Sequence, residues 1–133
     1  MKFYGTLFSV AFGLNWIWEV FQTFAFDMSG VSVGQMLLFC TFASVLDAIV
    51  TVAIFWVLQK LTVVIGWKFY LFTAASGALC AVFFEQAAFM FNLWSYNERM
   101  PVLPFLGMGV LPVLQLMILV PAAIWLALKL RRD

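Results

Sequence analysis

The segment Asn15-Trp16-Ile17-Trp18-Glu19-Val20-Phe21-Gln22 sets a carboxylate and two amides inside an otherwise apolar run. On a helix Asn15, Glu19 and Gln22 fall at i, i+4 and i+7, so all three share one face. Turned toward hydrocarbon this stripe would be costly, so it is expected to look into protein. Asp47 lies on a second stripe with Thr41, Ser44 and Thr51, and Glu85, Gln86 and Asn92 belong to a third run. A fourth run adds Gln115 between Pro112 and Pro121. Acids held in a dry site do proton chemistry as general acid and base, which makes Glu19, Asp47 and Glu85 the candidate catalytic groups. Asn15, Gln22, Gln86, Asn92 and Gln115 are the candidate orienting and binding groups. The indoles Trp16 and Trp18 flank the acid and could line a flat hydrophobic ligand or shield a carbocation.

Such groups need elements that hold them at depth in oil. The chain has 133 residues, 66% hydrophobic and 10% charged, with a mean hydropathy of +1.09, far from the balance of a soluble domain. Four apolar runs, about 3–26, 36–58, 69–94 and 105–128, each approach the roughly 20 residues that cross a bilayer. The first follows Met1-Lys2 but is too long and too polar for a cleaved leader. Lys2, Lys60, Lys68 and the tail Lys129-Leu130-Arg131-Arg132 alternate with the Asp27 and Glu98-Arg99 loops, which puts both termini on the cytoplasmic side. Short connections make neighbours antiparallel. The expected architecture is therefore an all-α, polytopic membrane four-helix bundle forming one transmembrane domain over 1–133, in a bacterial inner membrane.

At 1.5 Å per residue Glu19 and Glu85 both lie roughly 10 to 14 Å below the outer ends of their helices, with Asp47, Asn15 and Gln115 nearer the midplane. Every lysine and arginine falls at a span end, so no cation is at hand, and at least one of the three acids is expected to hold a proton. The chain has no histidine and only Cys40 and Cys80, without C-x-x-C spacing. Neither a metal site nor another cofactor is expected. A net charge of +1 offers nothing to nucleic acid. Thr41, Ser44, Thr51 and Ser76 read as interhelical hydrogen-bond partners, and Gly107, Gly109 and Pro112 as aids to packing or bending.

Leu93-Trp94-Ser95-Tyr96-Asn97-Glu98-Arg99, then Gly107, Gly109 and Leu111-Pro112-Val113-Leu114-Gln115, resembles the small membrane lycopene cyclase domains of two-component carotenoid enzymes. The likeness covers about 25 residues, and Gln115 stands where that family has an acid. N-W-x-W-E near the start is also similar to small bacterial four-span membrane proteins, a similarity that names no activity. The first resemblance implies an isoprenoid ligand and assigns no catalytic residue. Three functions follow as expectations: binding, alone or with isomerisation or cyclisation, of a polyene or isoprenoid membrane lipid; a non-catalytic accessory role in a larger membrane complex, beside a membrane-protein partner; or proton or small-solute passage as a homo-oligomer.

Overall fold

The computed structural model describes residues 2–61 and 64–131. Four helices account for most of them: α1 Lys2–Gln22, α2 Val33–Leu61, α3 Trp67–Met90 and α4 Val110–Leu130. A short 3-10 turn, Thr23–Ala25, extends α1. No strand forms among the described residues, only the isolated bridges Phe26–Tyr96 and Val102–Gly109. α2, α3 and α4 are each long and apolar enough to cross a membrane. α1 matches α4 in length, at 21 residues, but Asn15, Glu19 and Gln22 hold its hydropathy lower. Large apolar side chains face outward, among them Phe21, Leu79 and Phe83, as lipid-contacting surfaces do.

The helix ends follow from local chemistry. Ser32 and Gln35 form a reciprocal capping box at the start of α2: Gln35 N–H donates to Ser32 Oγ at 3.2 Å and Ser32 N–H to Gln35 Oε1 at 3.0 Å. Upstream, Gly30 at φ +74° turns the chain. There the Ser29 hydroxyl and N–H both donate to Asp27 and hold its exposed carboxyl below the usual range. α3 stops at Met90, four residues short of the expected limit, because Asn92 takes the left-handed conformation at φ 51°. Its N–H bonds Phe89 O, and Leu93 N–H reaches back to Ala88 O at 2.9 Å, a Schellman ending. The fourth run begins five residues later than its apolarity indicates. Phe105 and Gly107 both have positive φ, so 105–109 is a folded loop.

The chain runs up, down, up, down. α1 packs closely on α2 and on α4, and α3 packs closely on α4. Small residues line the seams: Ala11, Ala48, Ala81, Ala123 and Ala127 are all buried, which lets backbones approach. At the α3–α4 crossing Gly77 is so tight that an added Cβ would lie 2.3 Å from Leu116 O.

The two ends of the bundle differ. At one, Phe3, Phe55 and Phe69 pack in sequence from α1, α2 and α3, tilted and then edge-on, with centroids 5.1 and 5.9 Å apart. Lys2, Lys60, Lys68, Lys129 and Arg131 all stand at this end. Four of them sit over aromatic rings: Lys60 on Trp56 at 3.7 Å, Lys68 on Trp67, Lys129 on Trp125 and Arg131 on Phe3. The opposite end holds the polar residues and the two loops that cover them.

Candidate functional site: a buried amide and carboxylate network

Gln115 is the hub. It sits in the second turn of α4, 2% exposed, and its Nε2 lies 2.9 Å from each of Asn15 Oδ1, Glu19 Oε1 and Asp47 Oδ2. Its Oε1 accepts a 3.0 Å bond from Gln22 Nε2. One side chain of α4 thus ties together three positions of α1 and one of α2. The i, i+4, i+7 spacing on α1 is what aims Asn15, Glu19 and Gln22 at a single point.

Further bonds fix the rotamers. Asn15 Nδ2 donates to Ala11 O at 2.8 Å, which leaves its carbonyl oxygen facing Gln115. Trp18 Nε1 donates to Gln22 Oε1 at 3.0 Å. Trp16 Nε1 donates to Thr41 Oγ1 at 3.1 Å, and the Thr41 hydroxyl is passed on to Leu37 O. Both indoles therefore serve the network through their N–H groups, Trp16 by clamping α1 to α2 and Trp18 by orienting Gln22. Ser44 and Thr51, buried on the Asp47 stripe, return their hydroxyls to the backbone at Cys40 O and Asp47 O.

Glu85 of α3 is 4% exposed and is the other buried carboxyl of this end of the bundle. The Tyr96 hydroxyl donates to Glu85 Oε2 and the Trp94 indole approaches the same oxygen at 3.5 Å. Tyr96 in turn accepts the Gly109 N–H at 3.0 Å. Its ring is held edge-on by Phe26 and Phe89. Burial, and then the bond to Glu85, push the Tyr96 hydroxyl above its ordinary range.

These contacts make the α3–α4 loop a cover. Asn97 Nδ2 donates to Phe24 O and Phe26 O at 2.7 and 3.0 Å, Asp27 N–H bonds Ser95 O, and Met100 and Met108 fill the space beneath. Gly109 allows this closure, since a Cβ there would meet Met100 Sδ at 2.8 Å and the Tyr96 ring at 3.0 Å.

Of the residues singled out in the sequence, Asn15, Glu19, Gln22, Asp47 and Gln115 meet in one hydrogen-bonded cluster, with Glu85 beside it and Trp16 and Trp18 on its flank. Gln86 is exposed on α3, and Asn92 is exposed at the helix end it terminates; neither joins the cluster. Tyr96, met in the sequence only within segment 93–99, and Thr41, read there as a packing hydroxyl, bond directly to Glu85 and Trp16. Their bonds span a loop and a helix pair, which no periodicity reports. No group of three Cys, Asp or Glu that could hold a metal occurs among the described residues. Cys40 and Cys80 are free thiols.

Comparison with protein families, curated proteins and solved structures gives no match for this chain. Its chemistry rests on its own geometry.

The hydrogen count at Gln115 sets what that chemistry can be. A carboxamide nitrogen carries two hydrogens, and three acceptors stand at bonding distance around it. Two of the three are carboxyl oxygens, and an ionised carboxylate can only accept. At most two of the three contacts can be full N–H donations at one time.

Proposed function

We propose that the chain is a four-span integral membrane protein of the bacterial inner membrane, with both termini on the cytoplasmic, basic face, whose network binds and releases a proton within the bilayer. α1 is the fourth span; its polar face is turned inward onto Gln115, so its outer face remains apolar. The observation that carries the reading is the meeting of Asn15, Glu19 and Asp47 on one amide nitrogen with too few hydrogens for all. Glu85, hydrogen-bonded to Tyr96 beneath the loop cover, is the relay to the outer side. The Phe3, Phe55 and Phe69 rings close the other end, so exchange runs through the cover. In an oligomer the same site would serve proton or small-solute passage.

Infrared spectra of the protein in lipid test this. A carboxylic-acid C=O band is expected at neutral pH, shifted by slow exchange into D2O and diminished in Asp47→Asn or Glu19→Gln. Spectra showing only carboxylate bands would refute the reading.

One feature favours a second reading, a site for a polyene or isoprenoid chain. Glu19 is the cluster's one incompletely buried member, and it lies between two oriented indoles. A lipid double bond reaching it would meet an acid with indoles alongside, and the resemblance to lycopene cyclase domains implies an isoprenoid ligand without assigning it this residue. Extraction of a bound isoprenoid from purified protein, abolished in Glu19→Gln, would establish it in place of the first reading.

A further inference from the structure

At the basic end, remote from the carboxylates, a cavity of about 690 Å³ opens between α1, α2 and α4. Lys2, Gln59 and Arg131, in the end turns or cap of their helices, line it together with Phe3, Leu128 and, about a turn further into the bundle, the buried Phe55. The two cations come from opposite ends of the chain, the first turn of α1 and the cap of α4. No carboxylate lines the cavity among the described residues. One wall is closed by the Tyr4 hydroxyl, which donates to Gln59 Oε1 at 3.3 Å. Arg131 already lies over the Phe3 ring, 5.7 Å from its centre, so its planar guanidinium is held near the mouth, where its donors can fork onto an anion. The volume is that of a small-molecule site. Cations above and hydrocarbon below is the order of groups in an anionic amphiphile entering from the membrane surface.

We infer that this cavity binds a phosphate-bearing amphiphile, with Lys2 and Arg131 on the phosphate and Phe3, Phe55 and Leu128 on the first part of its hydrocarbon chain. Basic pockets between transmembrane helices on the cytoplasmic side take anionic head groups in this way. The site is independent of the proton-binding reading, because it shares no residue with the Gln115 network.

Titration of the detergent-solubilised protein with dioctanoyl phosphatidylglycerol, followed by native mass spectrometry, tests the assignment. Saturable binding is expected, weakened about fivefold by each of Lys2→Gln and Arg131→Gln and weakened by added salt. Lys68→Gln, at the same end but over Trp67 and outside the cavity, should leave binding unchanged. Dioctanoyl phosphatidylcholine should bind at least several-fold more weakly, and millimolar inorganic phosphate should not compete. Equal loss in Lys68→Gln would reduce the effect to diffuse surface charge and overturn the site. Equal binding of phosphatidylcholine would remove the role of the cations. Effective competition by phosphate alone would make the ligand a free anion and overturn the role of the apolar floor. Should either cavity variant unfold, the salt and phosphatidylcholine arms on the wild-type protein decide the same question.

Discussion

Replacing Gln115 by leucine removes every bond at the hub while keeping roughly the side-chain volume. Asn15, Glu19 and Asp47 lose the two hydrogens of the Nε2 they share at 2.9 Å, and Gln22 loses its acceptor at 3.0 Å. Interhelical hydrogen bonds in membranes are worth on average about 0.6 kcal/mol each, with about 1.7 as the upper end. Buried polar groups left without a partner cost about 1 to 3 kcal/mol apiece. Since Glu19 can turn toward its partly open side and Asp47 cannot, the expected loss for Gln115→Leu is about 3 to 5 kcal/mol, dominated by Asp47. Reversible unfolding in mixed micelles measures it, with Ile118→Ala, half exposed on the same helix, as a control expected to cost less than about 1 kcal/mol. The double variant Gln115→Leu with Asp47→Leu should recover part of the loss, because a pair replaced by apolar groups leaves no orphan. A Gln115→Leu protein within about 0.5 kcal/mol of wild type would refute the hub.

Gly77→Ala should destabilise the bundle by about 1 to 3 kcal/mol despite alanine's better helix propensity, since its Cβ meets the Leu116 backbone and cannot be relieved by a rotamer; unfolding in the same micelles reads this directly. Tyr96 carries a pH signature. Its hydroxyl is held above the ordinary tyrosine value, so its contribution to stability is complete below about pH 10 and is lost as pH rises through the raised value. Alkaline unfolding curves should therefore slope more steeply for wild type than for Tyr96→Phe, and parallel curves would contradict the buried bond to Glu85.

Much of the architecture was readable from apolarity alone. The four runs correspond to four helices, with α2, α3 and α4 long and apolar enough to span, and the i, i+4, i+7 spacing on α1 aims its polar groups at one point because helix geometry is rigid. The limits of the runs were less legible. At 105–109 and 91–94 apolar residues continue, while backbone dihedrals at Asn92, Phe105 and Gly107 end the helices; hydropathy is blind to dihedrals. Gln86 and Asn92 share a run with Glu85, yet only Glu85 points inward, because rotation about a helix axis is set by the neighbours that the helix packs on. The Tyr96 bond to Glu85 depends on a folded loop returning over the helix end, a tertiary event with no sequence period.

The halves of the network lie far apart along the chain. Asn15, Glu19, Gln22 and Asp47 belong to the first two helices, and Gln115, their shared partner, follows only with the last. On the proposed four-span arrangement the first hairpin enters the bilayer with its acids lacking this partner until α4 is made. Translation arrest before residue 115 is then expected to leave a hairpin that slides back toward water, and a stably inserted one would contradict the arrangement. On that arrangement the last helix is the latch for the first.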